Sequence, residues 1–278
     1  MPARARIERL PPPAIMIRLL GCTPEARLRV EFLIGFLIAT AVGLTGVGAG
    51  SITAPVLILF FHLSPTAAVG TALTFAVAIK LVAVPIYLRR RQIDYRVLRL
   101  LCAGGIPGVL LGVFVLSKLN MHDHERGIFL LLGLTIFTVS LGTLYRSIRN
   151  RLTAPSSDHS RWLPALAALI GGEVGFSSAG AGALGGIALL NLTTLKPAVV
   201  VGTDMVFGLI LSIFGGGLHL AAGHYNWPIL SKLIIGGLLG AFTGSMLSSI
   251  LPNRPLRMAL SVWLAGLGAQ LCWRALSP

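Results

Sequence analysis

The sequence predicts an all-α polytopic membrane protein made of two tandem homologous repeats, and three observations support this fold class. The chain is 55% hydrophobic and only 12% charged, with a mean hydropathy of +0.84, far outside the range of soluble domains. Its apolar runs are each close to the roughly 20 residues that a helix needs to cross the hydrocarbon layer. They cover 66–88, 100–117, 127–145, 197–222, 229–251 and 256–273. Thirdly, glycines and prolines recur at a constant spacing of 132 residues.

Two short motifs carry the repeat. Gly48-Ala49-Gly50 recurs as Gly180-Ala181-Gly182, and Val69-Gly70-Thr71 recurs as Val201-Gly202-Thr203. The same spacing relates Gly43 to Gly175, Pro65 to Pro197, Phe75 to Phe207, Gly104 to Gly236, Gly108 to Gly240 and Gly112 to Gly244. Internally duplicated membrane folds usually place a transport site where the repeats meet. We therefore expect membrane repeats at 31–150 and 163–278.

The positive charge of the chain predicts its membrane topology. The formal net charge is +14, and the arginines concentrate in a basic tail at 1–30, in 89–99 and in 146–161, a cluster that overlaps a basic linker at 151–162. Loops retained in the cytoplasm collect such charge and meet anionic lipid there. This distribution favours a multi-pass protein of the cell (inner) membrane over a nucleic-acid-binding protein. The tail has no long apolar core, so we do not expect a cleavable signal peptide.

Two apolar stretches, 31–62 and 163–195, are too long to be single crossing helices. Thirty-two helical residues would extend about 48 Å, against a hydrocarbon core of about 30 Å. Each stretch contains a glycine cluster, at 43–50 and at 171–186. Broken helix at membrane depth is tolerated only inside protein or beside water, so matched breaks indicate a binding site. In contrast, Gly104, Gly108 and Gly112, with their partners in the second repeat, are typical of close helix packing.

Two topologies agree with these segments. If each long stretch crosses once, the chain has about eight transmembrane segments, a glycine-broken first segment in each repeat, parallel repeats and both termini inside. If each stretch folds as a helical hairpin, the chain has 5+5 inverted repeats, and the uncharged loop 221–227 lies opposite its repeat partner 89–95. We favour eight segments because they place every arginine cluster inside.

Ionisable side chains inside apolar stretches are costly and therefore indicate function. Of nine acidic residues, only Glu173 and Asp204 lie inside such stretches; the others fall in tails, loops or segment ends. Their repeat partners are alanines, so the shared fold does not require an acid at either position. We expect both to be proton-coupling residues, and the alternative is a hydrogen-bonded acid that stabilises a helix break. Lys80 lies at mid-segment as an anion ligand or ion-pair partner, whereas Lys232 is interpreted as structural.

A substrate-binding site at the breaks would use backbone N–H groups, hydroxyls and one cation. The candidates are Thr45, Gly46, Gly48, Gly50, Ser51, Gly70, Thr71, Thr74, Ser177, Ser178, Gly180, Gly182, Gly202, Thr203 and Lys80. No histidine pair has metal-ligand spacing, the three cysteines form no metal motif, and there is no nucleophile elbow. We therefore expect no catalytic residue, no metal and no cofactor.

These motifs together resemble one family. Gly43-x-x-Gly46-x-Gly48-x-Gly50, Pro65-x-x-Ala68-Val69-Gly70-Thr71, a basic loop ending Ile93-Asp94, and Gly104-x-x-Pro107-Gly108-x-x-x-Gly112 are similar to those of the sulfite exporter TauE/SafE family, also called the toluene sulfonate uptake permeases. The resemblance covers about residues 31–275. It departs from the family pattern at Ala49, and Ser177-Ser178 stands where the first repeat has Thr45-Gly46.

The resemblance implies a duplicated four-segment unit and a function in secondary transport. It implies movement of small anions, sulfur-containing ones such as sulfite and sulfonates or other organic acids, coupled to a proton gradient. The partners expected are the anionic substrate, protons and membrane lipids, and a homo-oligomer is compatible with the sequence. The alternative function is an accessory membrane subunit whose glycines only pack helices.

Overall fold

The computed structural model describes residues 24–45, 48–118, 121–149, 160–179, 184–247 and 253–276. Regular structure in these ranges is helical, as the sequence predicts. The α-helices are α1 (Pro24–Thr45), α2 (Ala49–Phe61), α3 (Pro65–Arg89), α4 (Tyr95–Lys118), α5 (Met121–Arg149), α6 (Leu163–Ser177), α7 (Leu184–Leu192), α8 (Pro197–Ala221), α9 (Trp227–Leu247) and α10 (Asn253–Leu276). Within the described ranges, α3, α4, α8 and α9 are long and apolar enough to cross a membrane. Most of the basic tail and of the linker lies outside the described residues.

Both long apolar stretches are divided into two helices, as their length predicts. In the first, α1 ends at Thr45 and α2 begins at Ala49. In the second, α6 ends at Ser177, and Ser178 closes it in a left-handed conformation, its N–H donating to the Val174 carbonyl at 2.8 Å. Residues 49–58 of α2 are all buried. The start of α2, directly after the first break, is therefore enclosed by protein, which is the condition for irregular backbone at membrane depth.

Glycines bring two pairs of helices into backbone contact. On α4, three glycines lie against carbonyl groups of α6, in the pairs Gly104 with Pro164, Gly108 with Ala168 and Gly112 with Gly172. On α9, three glycines meet α1 in the same way, in the pairs Gly236 with Phe32, Gly240 with Phe36 and Gly244 with Thr40. The two sets are related by the spacing of 132 residues. The fourth helix of each half thus packs on the first helix of the other, and these glycines pack helices as expected.

The central helices α3 and α8 run antiparallel. Gly70, near the start of α3, lies against His219, near the end of α8. At the other end of the pair, Tyr87 packs with Met205, near the start of α8. Corresponding helices of the two halves therefore point in opposite directions. This arrangement fits the inverted alternative and differs from the parallel halves that we favoured.

The loops that follow α3 and α8 lie at opposite ends of the molecule. The Gln92 carbonyl faces Gly202 at the start of α8, and the His224 carbonyl faces Gly70 at the start of α3. The first half's arginine-rich loop and its uncharged counterpart therefore do not share a side. Arginine counts favoured parallel halves because they gave the six arginines of the tail the same weight as those of the loops.

An ion pair with a buried carboxylate joins α1 to α9. Lys232 Nζ lies 2.6 Å from Glu31 Oε2, and the Glu31 side chain is 1% exposed. Lys232 is therefore structural, as expected. The sequence places Glu31 at a segment end, whereas the structure buries its side chain between helices. Burial is possible because Lys232 compensates its charge. The two residues are 201 positions apart, so sequence spacing does not reveal the pair.

Candidate functional site

The two helix breaks meet inside the molecule. Gly50, in the first turn of α2, lies against the Ser178 backbone. The Ser178 hydroxyl donates to the Gly50 carbonyl at 3.1 Å. Both residues are buried. The two matched breaks therefore contact each other, and their function as a binding site stays a prediction.

Glu173 stabilises the end of α6. Ser177 Oγ donates to Glu173 Oε1 at 2.5 Å, and the same hydroxyl accepts from the Ala179 N–H at 3.1 Å. These bonds replace the helical partners that the chain loses at the break. They correspond to the structural alternative for this acid, and its part in proton coupling stays a prediction.

Lys80 of α3 and Asp204 of α8 form a buried pair of opposite charges. Their exposed fractions are 3% and 4%, and the two charges attract each other. The Asp204 carboxylate also lies directly against Gly185, in the first turn of α7. Asp204 therefore stands between a buried ammonium group and the amino end of a helix, where a negative charge is favoured.

Thr71 and Thr203 hold loops, a role that sequence reasoning missed. Thr71 Oγ1 accepts from the Asn226 N–H, and Thr203 Oγ1 accepts from the Asp94 N–H, both at 3.0 Å. Asn226 and Asp94 in turn accept from the first turns of α9 and α4 through their side-chain oxygens. Each threonine thus fixes the capping residue of a fourth helix. This differs from the anion-site role expected for Gly70-Thr71 and Gly202-Thr203.

We expect Thr203→Val to lower the thermal stability of the protein. The change removes the acceptor for the Asp94 N–H while preserving shape, at a cost of about 1 kcal/mol. The measurement is the melting temperature of purified protein in detergent. Thr203→Ser keeps the hydroxyl and is the control. Unchanged melting together with weakened anion binding would instead support the original expectation.

The remaining hydroxyl candidates bond within their own helices. Ser51 Oγ donates to the Gly48 carbonyl at 2.5 Å, and Thr74 Oγ1 donates to the Gly70 carbonyl at 2.8 Å. Gly48 is buried and begins α2 without a side-chain cap. Three glycines and one side chain lie outside the described residues: Gly46, Gly180, Gly182 and the side chain of Thr45.

A pair of histidines, of which His219 is buried, lies beside the start of α3. The His219 and His224 rings are 5.9 Å apart, and His219 is fully buried against Gly70. Burial of His219 against a glycine is typical of a packing role. Across the described part of the chain, no three histidine, cysteine or acidic side chains form a group that could hold a metal ion.

Comparisons with known proteins agree with the architecture. A family model described as "Sulfite exporter TauE/SafE" matches residues 31–271. The chain is 30% identical to "Probable membrane transporter protein YjnA" of Bacillus subtilis (strain 168), over 84% of this chain and 96% of that protein. It is 23% identical to "Probable membrane transporter protein YunE" of the same organism, over 88% and 97%. It is 30% identical to a "Probable membrane transporter protein" of Xylella fastidiosa (strain Temecula1), over 77% and 82%. No solved structure matches the chain.

Proposed function

Because the chain belongs to the sulfite exporter TauE/SafE family of membrane transporters, we propose that it moves small organic or sulfur-containing anions across the cell membrane by proton-coupled secondary transport. The observation that supports this most directly is the meeting of the two breaks at Gly50 and Ser178. Discontinuous helices facing each other are a common way for transporters to build a site from two halves. The substrate binds beside this contact as an oxyanion, at the amino ends of α2 and α7.

Two helix amino ends and one cation provide the positive potential. The first turns of α2 and α7 present N–H groups that have no intrahelical acceptor, and α2 begins without a side-chain cap. Such ends attract oxyanions. Lys80, buried on α3, adds a full charge. Together, these positive groups offset the free-energy cost of removing the anion from water.

Inverted halves give this site access to each side of the membrane in turn. Matched glycine contacts at a spacing of 132 residues and the antiparallel α3 and α8 support two inverted repeats, each with a helical hairpin at its start. Rocking of one half against the other then exposes a fixed site alternately. Asp204 carries the proton in this proposal, with Glu173 as the second candidate.

Cysteine labelling tests the inversion. With Cys22, Cys102 and Cys272 replaced, Arg90→Cys and Ala222→Cys introduce single cysteines at exposed, matched loop positions, 132 residues apart. We expect an impermeant thiol reagent added outside intact cells to label Ala222→Cys but not Arg90→Cys, whose arginine-rich loop stays inside. Labelling of both cysteines only after the membrane is opened would contradict the inversion.

Transport itself is tested in proteoliposomes. Purified protein with an imposed pH gradient is offered sulfite, alkyl- and arylsulfonates and small carboxylates. Movement of at least one anion above empty liposomes, stopped by collapse of the gradient, is expected. Absence of movement across the whole panel would favour the accessory-subunit alternative.

A further inference from the structure

We propose that Asp204 is a built-in competitor for the transported anion, so that only singly charged oxyanions are carried, each together with one proton. This inference rests on the proposed transport function and adds the charge class of the substrate. Ionised Asp204 occupies the position between Lys80 and the amino end of α7. A monoanion takes that position when Asp204 is protonated and leaves it when the proton is released.

The position of the Asp204 carboxylate explains why it competes with a substrate. Asp204 places its carboxylate against Gly185, whose missing side chain makes room for it. On the other side it faces Lys80, and both residues are at least nine-tenths buried. A carboxylate is itself a small oxyanion, and here it lies beside both of the positive features that would hold a substrate. The substrate and ionised Asp204 therefore compete for the same partners.

The net charge of the buried site explains why a monoanion binds only when Asp204 is protonated. With Lys80 positive and Asp204 ionised, the buried site is neutral. A monoanion beside protonated Asp204 restores neutrality, whereas a monoanion beside ionised Asp204 leaves one uncompensated negative charge. Uncompensated charge in a low-dielectric interior is strongly unfavourable. A dianion such as sulfate leaves such a charge even when Asp204 is protonated, so the site selects sulfonates, carboxylates and hydrogen sulfite.

Other titratable groups around α8 have roles elsewhere. Helix α7 has no ionisable side chain. Glu173 on α6 accepts from Ser177, and Asp94, in the loop before α4, accepts from the Val97 N–H. His219 lies at the far end of α8 and Cys102 on α4, while Tyr87 of α3 packs in the apolar cluster with Met205. Lys80 is the cation that faces Asp204.

The two halves differ at this position. Ala72 and Ser212 occupy the places in the repeat that correspond to Asp204 and Lys80. The corresponding position in the other half therefore has neither charge. One charged site for each chain predicts one proton for each anion and no net charge movement.

The test compares methanesulfonate with sulfate, which share a tetrahedral oxyanion shape and differ by one charge. Wild-type proteoliposomes exchange labelled methanesulfonate. We expect unlabelled sulfonate to inhibit at concentrations at least about tenfold lower than sulfate, the ratio that corresponds to about 1.4 kcal/mol. We also expect net uptake to follow the pH gradient and not the membrane potential. Equal inhibition by sulfate, or uptake that generates current, would overturn the competition.

Substitutions of Asp204 and Lys80 test the competition directly. Wild-type exchange should slow about tenfold for each pH unit above the titration of the carboxyl group. Asp204→Asn has a permanently neutral amide, so exchange at about pH 8 should rise toward its rate at about pH 6, and the pH gradient should no longer drive uptake. Lys80→Gln should lose exchange at both values. Glu31→Gln, a buried acid outside the site, is the control and should keep the wild-type pH dependence.

Two results distinguish failure of the proposed transport function from failure of the competition by Asp204. If wild-type protein moves no anion of the panel, the proposed function is refuted and the competition with it. If methanesulfonate moves but Asp204→Asn retains the wild-type pH dependence, transport stands and the competition is refuted. Should Asp204→Asn not fold, the comparison of sulfonate with sulfate on wild-type protein still decides.

Discussion

Replacement of Gly50 by leucine is expected to abolish transport while the protein still inserts in the membrane. A Cβ atom at this position would overlap the Ser178 carbonyl, and a leucine side chain would separate the two breaks. The oxyanion site between them would then lose its geometry, and displacements of about 1 Å can reduce a rate about 100-fold. The measurement is anion exchange in proteoliposomes with equal amounts of protein.

The matched control for this change is Gly217→Leu. Gly217 lies on α8, where a side chain would meet open space. The Gly217→Leu protein should keep the wild-type exchange rate and the wild-type elution volume in size-exclusion chromatography. If Gly50→Leu elutes like wild-type protein and exchanges anions at the wild-type rate, the contact between the breaks has no part in transport.

The substitution Gly108→Ala is expected to lower the stability of the folded protein. The new Cβ would overlap the Ala168 carbonyl of α6, so α4 and α6 would have to separate along their length. Overpacking of this kind costs about 1–3 kcal/mol, against a gain in helix propensity of about 1 kcal/mol. The melting temperature in detergent should therefore fall.

Two further substitutions make this prediction specific. Gly240→Ala, at the matched position of the other half, would overlap the Phe36 carbonyl and should lower the melting temperature likewise. Gly142→Ala on α5 would meet open space and should leave it unchanged or raise it slightly. A Gly108→Ala protein as stable as Gly142→Ala would show that α4 and α6 adjust without cost.

Local features of the fold followed from the sequence because their causes are local. A stretch of 32 apolar residues cannot be one crossing helix, so the breaks near Gly48 and Ser178 were predictable from length. Glycines four residues apart predicted the close contacts of α4 and α9. Glu173 and Asp204 were identified because acids are costly at membrane depth. Lys80 was identified as an anion ligand or ion-pair partner because it lies at mid-segment.

Features that depend on distant partners could not be predicted. Thr203 meets Asp94 across 109 residues and Thr71 meets Asn226 across 155, so their motif looked like part of an anion site. The pairing of Glu31 with Lys232 was hidden for the same reason. The relative direction of the halves depends on which end of α3 meets which end of α8. Neither the repeat nor the arginine pattern contains that information.

The reciprocal packing of α1 on α9 and α6 on α4 has a consequence for biosynthesis. When α1 enters the membrane, its partner is still about 200 residues from being made, a delay on the order of 10–40 s at ribosomal speeds. Gly35 and Gly43, which finally touch α9, face lipid or a chaperone throughout that interval. If the two halves derive from one duplicated unit, that unit had no internal partner for its first helix and needed a second, oppositely inserted copy to cover it.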